Sequence, residues 1–267
     1  MDHIPYGDPM DSGTPRLSPQ DFLIIAHRGA SSYAPENTMA AFDLALQMGA
    51  HHLELDVHLT RDDHLVVIHD DTVDRTTNGA GPVDSQTLAA LQALDAGAWF
   101  GEAFAGARIP TLADVLTRYQ GRAHLHIELK GHTAHLPQRT VDLVRAHGMV
   151  PHVTFTSFQH THLQTMRAYA PELPTGWLVG EVSDAVIAQA HALGCVQVCP
   201  HAALVTPGLV QHLHAEGFRV RAWGVAHEVL MRQVVEAGAD GMTVNFPDKL
   251  LAYMVSRVSP SAEERPP

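Results

Sequence analysis

The sequence predicts an α/β fold built from repeated strand–helix units, and three observations predict it. From Pro110 onward, short apolar runs of strand length alternate with segments of helical period. Counting the earlier runs Leu23–Ala26 and Leu53–Leu59, eight strands emerge with a helix after each. Side chains with chemistry gather at or near the ends of those strands, where rigid structure hands over to loops. Such units build either a closed parallel barrel or a doubly wound open sheet, and the periodicity fits both. The 267 residues suit one large domain, since α/β barrels use about 250 residues as one unit.

Residues 1–20 are rich in Pro, Gly, Ser and Asp and read as a flexible tail. Strand Leu23–Ala26 runs into His27-Arg28-Gly29. Asn37 or Thr38 can cap a helix Met39–Met48, which Gly49 closes. The second strand carries Glu54 and Asp56, turns through Arg61-Asp62-Asp63-His64, and returns along Leu65–Ile68 to His69-Asp70. Residues 71–110 break the rhythm and form a small insertion. Asp74 to Gly81 is turn chemistry. A short helix is expected from about Asp84 through Leu94. Trp99, Phe100 and Phe104 then gather aromatic surface, with Trp99 expected to anchor the insertion.

The regular part begins with helix Leu112–Tyr119 and strand His124–Glu128. Helix Pro137–His147 leads to strand His152–Thr156, and helix His160–Tyr169 to strand Thr175–Val179. Helix Asp184–Leu193 leads to strand Cys195–Cys199, and helix Pro207–Glu216 to strand Arg219–Val225. Helix Glu228–Ala237 leads to strand Gly241–Val244. Helix Asp248–Val258 closes the domain, read as residues 21–258, before a flexible tail at 259–267.

The net charge is -12 with histidine neutral. That balance argues against nucleic acid or an anionic membrane as a partner. It also leaves phosphate affinity to local cations. Cys195 and Cys199, in one predicted strand, would lie about 13 Å apart and cannot bridge each other. A reduced, cytoplasmic setting is expected. The first ten residues have neither a basic region nor an apolar run, so no secretory signal is expected. No apolar stretch of spanning length occurs, so no stable membrane association is expected. Of the 20 histidines, His51, His52, His132, His135, His147, His160, His162, His191, His212, His214 and His227 read as solvated polar residues. His58 and His126 share strand faces with the acidic residues and are given no role.

Glu54 and Asp56 stand two apart on a strand, so both point to one face, opposite Leu53, Leu55 and Val57. Bare paired carboxylates on an inner face repel and are poorly solvated. A cation between them removes both problems, whereas an exposed hairpin would leave two solvated acids. Glu128 adds a third carboxylate from another strand. Three carboxylates without a thiolate describe a hard-cation site for one Mg²⁺, Ca²⁺ or Mn²⁺. Arg28 and Lys130 beside it suit an anion, and phosphate is the usual anion for that pair.

These segments resemble the glycerophosphodiester phosphodiesterase family. The resemblance rests on His27-Arg28-Gly29, Pro35-Glu36-Asn37-Thr38, Glu54-Leu55-Asp56, Thr60-Arg61-Asp62 and His69-Asp70. It continues through Asp74-Arg75-Thr76-Thr77-Asn78-Gly79, Ile109-Pro110-Thr111-Leu112 and Ile127-Glu128-Leu129-Lys130. No piece is specific alone, but together they run in the family's order from near residue 22 to near residue 250. The resemblance favours the closed barrel: a (β/α)8 TIM barrel with a small insertion after the second strand. Active sites of that fold lie at the C-terminal ends of its strands.

The resemblance implies metal-dependent hydrolysis of a small-molecule glycerophosphodiester to an alcohol and sn-glycerol 3-phosphate. Glu54, Asp56 and Glu128 would hold the metal. Arg28 and Lys130 would bind phosphate, and Trp223 would face the substrate. His27 would act as base and His69 as acid, with the glycerol's own hydroxyl attacking to give a cyclic phosphate. The alternatives are a lysophospholipase D-like phosphodiesterase and a non-catalytic phosphate-ligand binding barrel. Three positions depart from the family's pattern: Gly224 where Thr is usual, Asn245 where Asp is common, and Asp63 where Gly is common.

Overall fold

The computed structural model describes residues 22–258. The tails expected at 1–20 and 259–267 lie outside the described residues. The chain runs β1 (Leu23–His27), α1 (Met39–Gln47), β2 (His52–Leu59), β3 (Leu65–Val67), α2 (Leu88–Ala93) and α3 (Leu112–Tyr119). It continues β4 (His124–Leu129), α4 (Leu136–Ala146), β5 (Val153–Ser157), α5 (His160–Tyr169), β6 (Thr175–Val179) and α6 (Asp184–Leu193). It ends β7 (Gln197–Pro200), α7 (Pro207–Ala215), β8 (Arg219–Val225), α8 (Glu228–Glu236), β9 (Gly241–Val244) and α9 (Pro247–Val258).

Eight strands pair in parallel in the order β1-β9-β8-β7-β6-β5-β4-β2, and β1 also pairs with β2. That last pairing closes the sheet into a barrel and excludes the open doubly wound sheet. β3 lies outside the ring, antiparallel to β2 with Val57 opposite Val67. The register of β2 on β4 sets Asp56 beside Glu128 and Glu54 beside His126. Among the described residues, no helix is long and apolar enough to cross a membrane.

Alternation decides which face meets the helices. Leu53, Leu55 and Val57 of β2 pack with Phe42 and Ala45 of α1 and with Leu112, Val115 and Leu116 of α3. Their neighbours Glu54, Asp56 and His58 are buried on the other side. Barrels of this kind usually fill their interior with Val, Ile and Leu. Here His126, Glu128, Thr154, Thr156, Gln197, Arg221 and Thr243 are buried polar residues of the strands.

The insertion has its own small core of Val66, Ile68, Val73, Val83, Leu91, Ala96 and Ile109. The expected continuous short helix is instead a 3-10 turn at Val83–Ser85 followed by α2. Thr87 splits them, because its side chain accepts the Ala90 N–H and starts a new helix. The Trp99 indole N–H donates to Ala96 O at 3.0 Å, as an anchor would. Thr38 rather than Asn37 caps α1.

Three further expectations are corrected. Cys195 precedes β7 rather than lying in it, because the chain leaves α6 through Gly194 in the left-handed region. His162 is not solvated: it is buried under α5, its Nδ1 donating to Leu129 O at 3.3 Å. His52 is half-buried, its ring packed beside His124 and His126.

Candidate active site

β1, β2 and β4 converge their C-terminal ends on one spot. Glu54, Asp56 and Glu128 are all buried there, and one oxygen from each lies within 4.8 Å of the others. Burial, and then the charges of Asp56 and Glu128, raise the Glu54 carboxyl well above its usual range. Burial and Asp56 push Glu128 up to about 7. Burial pushes Asp56 the same way, but Arg28, His69 and Lys130 outweigh it and hold that carboxyl low. Three carboxylates forced together out of water, two of them with raised proton affinity despite Arg28 and Lys130, describe a site that gains from further positive charge. Asp56 Oδ1 is buried with no hydrogen-bond partner among the described residues. All donors are hard oxygens, so the residues fit a hard divalent cation.

The sequence around β1 explains the convergence. Arg28 takes a left-handed backbone at φ +55°, and its N–H donates to Glu54 Oε2 at 3.0 Å. Gly29 follows at φ +83°, where an added Cβ would lie 2.5 Å from the Ala41 carbonyl carbon. Only glycine lets the chain pass α1 so closely. Asn37, also left-handed at φ +57°, donates its side-chain amide to Asp56 Oδ2 at 2.8 Å. Asn37 orients a carboxylate, a role not assigned from the sequence although it lies inside the Pro35–Thr38 motif.

The two expected phosphate cations are both occupied. Arg28 Nη1 donates to Glu36 Oε1 at 2.7 Å, and its Nε is 3.3 Å from Asp56 Oδ2. Lys130 Nζ donates to Glu128 Oε1 at 2.9 Å. Glu36 is thereby placed beside the site. Arg75, quoted in a motif but given no role, bridges Glu36 and Asp70. The hydrogen bond from Arg75 holds the Asp70 carboxyl well below its usual range, and His69 adds to it.

His27 and His69 flank the carboxylates. His27 Nδ1–H donates to Asn245 Oδ1 at 2.7 Å, and its Nε2 lies 3.9 Å from Glu54 Oε2. His69 Nδ1–H donates to Asp70 Oδ1 at 2.6 Å. Each ring thus spends Nδ1 on a fixed acceptor and keeps Nε2 available. Burial, and then Arg28, lower the His27 imidazole to about 4, although 30 % of the side chain still meets solvent and moderates the shift.

Trp223 lies near the end of β8, its indole N–H donating to Val179 O at 3.2 Å. Its ring meets Phe158 edge-on at 4.9 Å, a residue not singled out from the sequence. Arg221, on the same strand face as Trp223, is 1 % exposed, and it opposes the raised proton affinity of Glu54 and Glu128. Period-two alternation back from Trp223 would have flagged it. Asp63, in place of the common Gly, sits at φ +63° at the hairpin tip, where Asp is tolerated. A groove of about 740 Å³ lies outside the barrel between Pro207 and Glu236 and touches none of these residues.

Residues 27–249 match the sequence model of the glycerophosphoryl diester phosphodiesterase family. A glycerophosphodiester phosphodiesterase of Caldanaerobacter subterraneus is 39% identical over 238 residues, covering 86% of this chain and 96% of its own. The crystal structure of a glycerophosphodiester phosphodiesterase from Agrobacterium tumefaciens is 34% identical, with TM-score 0.78 over 85% of this chain and 98% of its own. An Oleispira antarctica phosphodiesterase, solved in complex with the product sn-glycerol-3-phosphate, is 31% identical, with TM-score 0.79 over 87% of this chain and 96% of its own.

Proposed function

The chain belongs to the glycerophosphoryl diester phosphodiesterase family and is a phosphodiesterase of glycerophosphodiesters; on that premise we propose a metal-dependent hydrolysis releasing an alcohol and sn-glycerol 3-phosphate. The observation that carries the proposal is the buried convergence of Glu54, Asp56 and Glu128 beside two histidines with available Nε2 atoms. Glu54, Asp56 and Glu128 would hold one Mg²⁺, Ca²⁺ or Mn²⁺. Such a cation would neutralise the carboxylates and polarise a phosphoryl oxygen.

The chain's own residues do the rest. Arg28 and Lys130 turn from their carboxylate partners toward the phosphate oxygens, where charge-assisted bonds orient the diester. His27 Nε2 takes the proton of the glycerol hydroxyl next to the phosphorylated carbon. That oxygen attacks phosphorus, a tethered and therefore favoured encounter, and closes a cyclic phosphate. His69 Nε2–H gives its proton to the departing alcohol. Water then opens the ring with the two histidines exchanging roles. Trp223 packs against the substrate.

A turnover screen of deacylated phospholipids, with and without chelator, tests the proposal. Glycerophosphocholine and glycerophosphoethanolamine should be cleaved, lysophosphatidylcholine much less. Undiminished turnover in chelator would refute the metal. Preference for the lysolipid would move the chain to phospholipase D-like chemistry.

A further inference from the structure

Across the barrel mouth from the carboxylates stands a ring that the proposed chemistry leaves unused. His201 continues the line of β7 and bridges to Trp223 of β8. Its imidazole meets the Trp223 ring edge-on, with centroids 4.7 Å apart. Phe158, 42 % exposed, meets the same indole. The rings connect to the acidic site through Lys130, whose Nζ is 5.5 Å from the Phe158 centroid.

The backbone makes room for this histidine. Gly224 has φ +72°, and a Cβ there would lie 2.6 Å from His201 Cδ2 and Nε2. The imidazole edge therefore rests on a bare Cα, at the position where the family resemblance leads one to expect Thr. His201 Nδ1 accepts the Ala203 N–H at 3.2 Å. The ring proton consequently sits on Nε2, and no residue among those described accepts it.

The order of strand ends decides what that donor meets. Around the ring they run β7 with His201, β8 with Trp223, β9 leading to Asn245, β1 with His27, and β2 with the acids; β3, which leads to His69, pairs with β2 outside the ring. His27 thus ends a barrel strand two places from β8, toward the ring-bearing side of the acids. In a glycerol 3-phosphoryl group the attacking hydroxyl is on the middle carbon. The remaining hydroxyl is one carbon farther from phosphorus. Presenting the first to His27 carries the second toward Trp223 and His201. Lys130 already lies over the Phe158 ring, the face that a cationic alcohol would take, and so leaves this wall to a neutral polyol.

Resting on the function proposed above, we propose that His201, seated by Gly224 against Trp223, is a specificity residue. Its Nε2–H donates to the terminal hydroxyl of the substrate's glycerol. The glycerol lies along Trp223 and Phe158, and the alcohol departs past His69. The hydroxyl is then read by a group built to bond it, a form of recognition that penalises analogues lacking it.

The test uses the full chain with saturating divalent cation and two substrates. One is glycerophosphocholine; the other has propane-1,2-diol in place of glycerol, keeping the attacking hydroxyl and losing the terminal one. Wild type should prefer the first by about 10-fold in kcat/KM, the effect of one well-placed hydrogen bond. His201→Phe keeps a ring against Trp223 but has no donor, and the preference should fall to about 1. Gly224→Ala, which displaces the imidazole, should lower it too. A wild-type ratio near 1 overturns the inference. So does a ratio that survives in His201→Phe, including an equal loss on both substrates. No turnover of glycerophosphocholine by wild type would instead defeat the functional reading itself, and so is distinguishable.

Discussion

His27 leaves the end of β1 and His69 follows β3, and both stand beside the carboxylates. Both rings spend Nδ1 on an acceptor, at 2.7 and 2.6 Å. The acceptors differ. Asn245 offers His27 an amide dipole, whereas Asp70 offers His69 a full negative charge. Asp70 belongs to an ionic chain that continues through Arg75 and Glu36 to Arg28. His27 is lowered to about 4 by burial and by Arg28. The same residue type thus has a neutral amide behind it in one place and a carboxylate in the other, the kind of difference that the proposed division between base and acid would use.

The largest effect should come from erasing the centre that both histidines serve. Glu54→Ala, Asp56→Ala and Glu128→Ala should each weaken divalent cation binding in calorimetry and lower turnover on the order of 10³-fold or more. Chelation should do the same, reversed by added cation. The Glu128 carboxyl, pushed up to about 7, holds a proton that competes with the metal. Apparent metal affinity should therefore rise with pH up to about 7 and then level. Affinity that is flat from pH 5.5 to 8 would remove Glu128 from the ligand set.

The second effect separates the two sides. His27→Ala should lose about 10²–10⁴-fold in kcat/KM for every substrate. His69→Ala should lose as much for glycerophosphocholine. It should recover most of that for a glycerol diester with a nitrophenol leaving group, which needs little protonation. An equal loss for good and poor leaving groups in His69→Ala would show that it is not the acid. Efficient cleavage of a 2-deoxy glycerol diester would exclude the cyclic route and with it the task given to His27.

A smaller effect belongs to the cations. Arg28→Ala should reach further than Lys130→Ala, because Arg28 also ties Glu36 and Asp56 in place. Each should lose about 10- to 100-fold in kcat/KM, the range of a charge-assisted hydrogen bond. Thermal unfolding should show the fold intact. Unchanged kcat/KM in either variant would release that residue from the phosphate.

The alternating pattern exposed nearly all of the barrel, and the acidic set was readable because Glu54, Asp56 and Glu128 interrupt apolar strands on one face. Strand closure was not readable. Parallel strands covered by helices look alike in a barrel and in an open sheet, and only the β1–β2 pairing distinguishes them. The partners of the site were hidden for a related reason. Arg75 lies 39 residues from Glu36, and Asn245 lies 218 residues from His27. No local spacing announces either contact. His162 misled because its helix carries few apolar residues, yet its ring faces the Leu129 carbonyl. Arg221 and His126 are charged or polar at positions where a barrel interior is usually apolar, so burial contradicted composition there.

The subtlest test exchanges the backing of one histidine for that of the other. Asn245→Asp puts a carboxylate 2.7 Å from His27 Nδ1. Opposite charge at that distance favours the imidazolium and should raise proton affinity by about tenfold or more. The sign follows from the role. As a base, His27 must be neutral, and with its value lowered to about 4 it is neutral at pH 5 and above. With a tenfold rise it would be about half protonated at pH 5 and still mostly neutral at pH 8. With cation saturating, kcat/KM should fall about twofold or more at pH 5 and stay near wild type at pH 8. Stability should move in the other direction. Because the folded value is lowered, the unfolded wild-type chain binds the extra proton between about 4 and 6.5, so this group's contribution to stability is lost as pH falls through that window. The variant holds the proton in the folded state as well, and its acid-side loss from this residue should shrink. An acidic limb of the pH–rate profile that does not move, in a variant whose acid stability does, would place His27 in the fold but not in the proton transfer.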